Sequence, residues 1–137
     1  MIAKPVRTKR KKKYRSPLKR IMDECDELVR QIIKKRDHAC VTCGKTREQS
    51  RLDVGHLKPR GKKRVRWDLT NCNAQCPPCN NLHRFNQSLY ELWYIKQYGM
   101  DAFVTLTELA IPVWQPRLPD MELIRARLQG ALELLEK

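Results

Sequence analysis

Two stretches decide the fold: Cys40-Val41-Thr42-Cys43-Gly44 and Cys76-Pro77-Pro78-Cys79-Asn80. Each is a CxxC knuckle, and together they offer four thiolates, the donor set of a tetrahedral Zn²⁺ site. Gly44 permits the tight turn that a knuckle needs. No secretory signal is visible, so the expected compartment is reducing and disulfides are disfavoured. Two pairs argue against a redox dithiol. A site closed by four cysteines leaves no position for water or substrate, so the expected zinc is structural and any chemistry lies elsewhere. The 32 residues between the pairs exceed the spacing of a minimal zinc ribbon, so the intervening segment holds something further.

The chain outside the knuckles reads mainly as helix. Ser16-Pro17 is an N-cap with Pro at the first helical position, and Leu18, Ile21, Met22, Cys25, Leu28, Val29, Ile32 and Ile33 follow at helical spacing to about Arg36. Cys25 falls on that apolar face and reads as core, whereas Cys72 is ambiguous. A short strand is expected at 52–56, a loop at 57–64, and a second strand at Val65-Arg66-Trp67, making a hairpin. Residues 68–75 read as a turn. Pro77-Pro78 opens a helix carrying Asn80, Asn81 and His83. Another helix runs from about Gln87 to Gly99, with Leu89, Leu92, Trp93 and Ile95 on its core face. A short helix at 101–110, an irregular segment at 111–119 and an amphipathic helix at 120–136 complete the chain. Trp67 and Trp93 read as core. The division is a basic disordered arm at 1–15, a core with flanking helices at 16–110, and a Pro-rich linker with a C-terminal amphipathic helix at 111–137. That last helix reads as core packing or as a dimer seam.

Composition narrows the partners. The 137 residues suit one domain, 41% are hydrophobic, and 29 Lys+Arg against 15 Asp+Glu give a net charge of +14. No apolar run is long enough for a membrane helix, so no membrane partner is expected. Charge of this size points to a polyanion, most often nucleic acid. Ten Lys/Arg lie in residues 1–20 with no acid, Lys11, Lys12 and Lys13 among them, and seven lie between Arg51 and Arg66. Lys58, Arg60, Lys62, Lys63, Arg64 and Arg66 are expected to grip DNA phosphates, giving affinity and salt dependence rather than sequence readout. The arm reads as a nonspecific tether, or as a solubilising or targeting tail.

Three residues stand out for chemistry. His56 ends the expected strand beside the basic loop, Asn71 lies five residues before Cys76, and Asn80 follows Cys79 directly. Phosphodiester hydrolysis needs a water activated near neutral pH, for which imidazole is suited, and a divalent cation to stabilise phosphate charge. Mg²⁺ takes oxygen ligands, often only one or two from protein, and the Asn80 amide can be one. A bare binding module has no need of His56 and Asn80 at these spacings.

A knuckle, a hairpin bearing His and a helix starting at the second CxxC resemble the ββα-metal, or His-Asn-His (HNH), nuclease core. The match to zinc-bearing nucleases of the phage endonuclease VII type runs through Cys40, Cys43, His56, Cys76, Cys79 and Asn80. The chain is more closely similar to the NinG/Rap family of phage recombination endonucleases. The stretches that carry this likeness are Cys40-Val-Thr-Cys43-Gly44-Lys45, Gly55-His56 with Arg60-Gly61, Asn71 with Gln75-Cys76, Cys79-Asn80, Asn86-Gln87 with Tyr90, and Tyr98-Gly99, over roughly residues 20–110. The resemblance implies an α+β, mainly helical fold with a small zinc-stabilised, treble-clef-like core. It also implies cleavage of branched DNA, including Holliday junctions and D-loops, with Mg²⁺ or Mn²⁺, in the cytoplasm of a bacterial host. A generic HNH nicking enzyme and a non-catalytic zinc module that binds duplex DNA are the competing readings. The HNH pattern usually places a metal-binding Asp or His just before the general base. Gly55 stands there, as in NinG-like sequences, so the second metal ligand is open between Asp53, which alternation turns away from His56, and His83, one helical turn from Asn80. Asn71 is expected to orient the His-bearing loop. Cutting two strands of opposite polarity suits a symmetric homodimer.

Overall fold

The computed structural model describes residues 1–137, of which 1–16 have no regular structure. The Ser16 hydroxyl accepts from the Lys19 amide at 3.2 Å, and Pro17 lacks the N–H that this position would leave unpaired. Helix α1 (Pro17–Arg36) follows as expected and buries Ile21, Met22, Cys25, Val29, Ile32 and Ile33. Arg47 covers its C-terminus, donating to the carbonyls of Ile33 at 3.3 Å and Asp37 at 3.1 Å. Helix α6 (Leu118–Glu136) lies along α1 and runs in the same direction. Cys25 sits beside Met121 near one end, and Lys35 pairs with Glu136 at 3.6 Å near the other. Met121 and Leu128 are buried against α1, with Ile124, Ala131 and Leu132 packed around them. The apolar face of α6 therefore closes the main core.

Strands β1 (Asp53–His56) and β2 (Cys72–Gln75) pair antiparallel, with Asp53 opposite Gln75, Gly55 opposite Asn73 and His56 opposite Cys72. This corrects two expectations. Val65-Arg66-Trp67 is not the second strand: Lys63–Arg66 form the short helix α2, and Val65 and Trp67 point into the two cores. Residues 72–75 are not a turn, because the polar turn ends at Asn71, where Asp68 accepts from the Thr70 amide at 2.8 Å. β2 is buried on both faces. Its polar side chains are tolerated because they are bonded: Asn73 donates to Thr70 O at 2.8 Å and to the Tyr90 hydroxyl at 3.0 Å, and accepts from Arg36 at 2.8 Å.

Three helices follow: α3 (Pro77–Leu82), α4 (Ser88–Tyr98) and α5 (Met100–Ala110), the last two separated by Gly99 at φ +94°. The core face of α4 differs from expectation. Tyr90 and Tyr94 are buried, whereas Leu89 and Leu92 are exposed. Tyrosine goes inward here because its hydroxyl has partners: Tyr90 donates to Gly55 O at 2.8 Å, and Tyr94 meets Thr70 Oγ1 at 3.0 Å. These rings, with Leu57, Val65, Leu106 and Ala110, form a second core, and Trp93 packs half-buried on it. Six helices and one two-stranded sheet make a small, mainly helical α+β fold.

Candidate functional site

The four knuckle cysteines converge, with all four Sγ atoms within 4.8 Å of one another and Cys43 and Cys76 at 3.6 Å. Four sulfurs about 2.3 Å from one Zn²⁺ would stand roughly 3.8 Å apart, so the donor set fits the ion. Its electrostatics ask for a cation. Burial, then the neighbouring Cys76, Cys43 and Cys40, pushes the Cys79 thiol well up, so four thiolates need a positive charge among them. Burial also acts against the Cys40 thiolate, but the backbone amides of Cys43, Cys76 and Thr42 bring its thiol down to about 7. Gly44, at φ +79°, closes the first knuckle, its N–H bonded to Cys40 O at 2.9 Å. The Val41 amide donates to Ala74 O at 2.9 Å, which ties this knuckle to β2. Cys72 and Cys25 lie buried away from the cluster.

β1 delivers His56 to a cleft of about 870 Å³ between α1, β1 and α3. His56 Nε2 lies 3.1 Å from the Arg66 carbonyl, which can only accept, so Nε2 carries the hydrogen. Burial, the largest influence, holds the imidazole below its ordinary 6.5, so at neutral pH Nδ1 keeps its lone pair. Nδ1 has no partner within the chain and is not among the sealed polar atoms, so solvent reaches it. Asn71 is wholly buried and holds the following loop, accepting from the Lys58 amide at 2.7 Å and donating to Lys58 O at 3.2 Å and Val65 O at 3.1 Å.

Gly55 is required by packing. A Cβ there would lie 2.1 Å from Gln75 Oε1, because the Gln75 amide crosses β1 at that point. Gln75 is fully buried and donates to Thr42 Oγ1 at 2.8 Å. The space that a side chain before His56 would occupy is thus filled from the opposite strand.

Asn80 lines the cleft with His56, and its side chain has no partner within the chain. Asp53 lines it too, against the simple alternation argument, and pairs with Arg51 at 3.0 Å. His83 reaches the cleft wall, but its Nε2 donates to Leu57 O at 2.9 Å and its Nδ1 is sealed without a partner. Both nitrogens are therefore turned to the protein, and His83 acts in this geometry as a strut from α3 to the loop after His56.

The basic loop differs from a free phosphate clamp. Arg66 is 6% exposed and donates to Asp26 at 2.5 and 3.1 Å, so it cannot reach DNA. Trp67 Nε1 donates to the same carboxylate at 2.9 Å, and Arg60 at 2.7 Å. Asp26 thus grips the side chains on either side of the carbonyl that orients His56. Burial alone would raise the Asp26 carboxyl, but hydrogen bonds from Arg66 and Arg60 hold it below 3.8. Lys58 lies over the Phe103 ring at 4.9 Å, Arg64 over Trp114 at 5.4 Å, and Lys63 donates to Gln115 at 3.1 Å. Lys62 is exposed, and Lys11, Lys12 and Lys13 are exposed on the arm. Sequence reasoning missed Asp26, Arg30 and Arg84, which line the cleft. Nothing local marks Asp26 and Arg30, which α1 brings in from a distant stretch, whereas Arg84 directly follows His83, four residues after Asn80.

No curated protein and no solved structure matches the chain. Residues 3–137 match the family described as Bacteriophage Lambda NinG protein, and the chain belongs to that family.

Proposed function

We propose that the chain is an HNH-type endonuclease that hydrolyses phosphodiester bonds in branched DNA, Holliday junctions and D-loops included, with Mg²⁺ or Mn²⁺ as catalytic cofactor and Zn²⁺ as structural metal. Membership of the NinG family suggests a phage recombination-related role. The observation that carries the reading is the cleft itself. It brings an imidazole with a free Nδ1, on β1, and an unpartnered amide, on the helix that begins at the second knuckle, into one space with Arg30, Arg60 and Arg84. With the one-turn α2 set between the strands, β1, β2 and α3 follow in the order expected of a ββα nuclease core, His56 ending β1 and Asn80 on α3, which supports the reading.

His56 Nδ1 accepts a proton from water, whose oxygen attacks phosphorus as the bond to the leaving sugar oxygen breaks. Arg66 O keeps the ring in the tautomer that leaves Nδ1 free, and Asn71 fixes the loop beyond it. Asn80 would hold the Mg²⁺ through its amide oxygen, with Asp53 at the cleft wall as a further carboxylate candidate. Bound there, the cation would supply positive charge for the phosphate and the leaving oxygen. The cleft arginines, Lys62 and the arm would hold the DNA backbone. The reaction takes place in the bacterial host cytoplasm, and a homodimer would cut two strands symmetrically. No helix is long and apolar enough to cross a membrane.

The test is a labelled four-way junction with and without Mg²⁺. Wild type should cut only with the metal, and His56→Ala and Asn80→Ala should each lose about a hundredfold or more. Full activity in His56→Ala, or no cleavage with any divalent metal, overturns the nuclease reading. Equal cutting of linear duplex overturns the branch preference, and a purely monomeric junction complex in sedimentation overturns the dimer.

A further inference from the structure

Next in the chain to a residue that lines the cleft stands an exposed aromatic side chain that the proposed hydrolysis does not use. After α3 the chain turns through His83-Arg84-Phe85-Asn86 toward α4. The turn is fixed: Leu82 O accepts from the amides of Phe85 and Asn86, both at 2.9 Å, and Asn86 Oδ1 accepts from the Ser88 amide at 3.1 Å. His83 is tied to Leu57 and lies against Tyr90, ring centroids 5.0 Å apart. On this platform Phe85 is 83% exposed and belongs to neither core. Its neighbours Arg84 and Gln87 line the cleft with His56 and Asn80.

The cleft arginines are not equivalent. Arg30 pairs with Glu27 and Arg60 with Asp26, whereas the Arg84 guanidinium has no ion pair or hydrogen bond. A phenyl ring on a hydrogen-bonded turn forgoes burial, and an unpaired guanidinium stands next to it in the chain. These two groups match the two ends of a nucleotide. A guanidinium binds phosphate, and a ring stacks on the face of a base. Bases inside a continuous duplex have both faces covered by their neighbours. A base at a branch point or in a single strand offers one.

We infer that Arg84 and Phe85 form a subsite for an unpaired or branch-point nucleotide, Arg84 holding its phosphate and Phe85 stacking on its base. This rests on reading the cleft as a DNA site, and it supplies the discrimination between branched and linear DNA that the hydrolytic residues lack.

Binding is the deciding measurement, made on the full chain with Ca²⁺ in place of Mg²⁺ so that cleavage does not intervene. The probes are a splayed-arm fork carrying 2-aminopurine at the first unpaired position and the matching linear duplex. Wild type should prefer the fork and quench its fluorescence. Phe85→Ala should lose about tenfold on the fork and little on the duplex, the effect of one lost base–aromatic stack. Phe85→Trp should keep the preference. Arg84→Ala should weaken both and flatten the salt dependence. Both side chains are exposed, so unchanged melting temperatures will show that the variants fold. An unchanged fork affinity in Phe85→Ala, as expected if Phe85 meets a protein instead, overturns the subsite. So does an equal loss on both DNAs, or full binding in Arg84→Ala. A wild type that prefers forks in Ca²⁺ but cuts nothing in Mg²⁺ overturns the nuclease reading and supports the subsite.

Discussion

Residues 1–20 and residues 51–66 are both strongly basic, with ten and seven Lys/Arg, but the two sets of charges are in different physical states. The arm has no regular structure and is exposed, and of its cations before α1 only Arg15 pairs, with Asp23. In the loop, Arg51, Arg60 and Arg66 are held by carboxylates, Lys63 by an amide, and Lys58 and Arg64 by aromatic rings. Lys62 alone has no such partner. Positive charge in the loop is therefore largely engaged within the chain. Positive charge in the arm is almost wholly without partners in the chain. A net charge of +14 therefore does not describe a single uniform surface.

The sharpest way to separate the two regions is to remove the metal. Stripping zinc with a strong chelator, or Cys76→Ser, should abolish cooperative folding of the loop and cleft, since a structural Zn²⁺ contributes about 10 kcal/mol of folding free energy. Amide spectra of the arm should not change. A retained cooperative melt after zinc removal would show that the cores alone hold the cleft.

A smaller effect tests the loop's internal wiring. Asp26→Asn removes the charge that Arg60 and Arg66 share, and should cost about 3 kcal/mol in thermal or denaturant unfolding, as expected for one half of a largely buried pair. The pH dependence has a definite sign. Asp26 has a folded pKa below 3.8, so its contribution is complete above that value and is lost as pH falls through the folded pKa. His56 also has a folded pKa below its ordinary one, so the unfolded chain takes up its proton first and stability begins to fall below about 6.5. Wild type should lose stability in two acid windows. Asp26→Asn should keep the one beginning near 6.5 and lose the lower one, and a variant that retains both would show that Asp26 is not the titrating group.

How much of this was legible follows from which interactions are local. Ser16-Pro17 with its apolar period marks α1, the CxxC spacings mark the metal cluster, and Pro77-Pro78 marks α3, because caps, knuckles and prolines act within a few residues. Strand β2 left no signal. Cys72-Asn73-Ala74-Gln75 is buried on both faces, so it does not alternate, and its amides bond to Arg36, Tyr90 and Thr42 from afar. Helix α2 is one turn long, too short to show a period. The face of α4 was misread because Leu outranks Tyr in hydropathy, and only the tertiary structure shows that both hydroxyls are bonded. His56 and Asn80 could be picked out by their places beside the knuckles. Asp26 and Arg30 could not, since α1 reads locally only as an apolar helix, whereas Arg84, next to His83 and four residues after Asn80, was within reach of those neighbours.

The smallest expected effect belongs to the arm, and it completes the contrast. Deleting residues 1–15 leaves both cores, the cysteine cluster and the cleft untouched, since none of their members lies before Leu18. The melting temperature should stay within a degree or two, because the pair lost, Arg15 with Asp23, is solvent-exposed. Binding to any DNA should weaken at low salt. The slope of log affinity against log salt should fall by about 0.9 for each phosphate that the arm neutralises. The ratio of fork to duplex affinity should not move, since counterion release does not distinguish the two. A changed ratio would mean that the arm reads DNA structure, and would shift part of the selectivity from the rigid turn at Phe85 to the exposed arm.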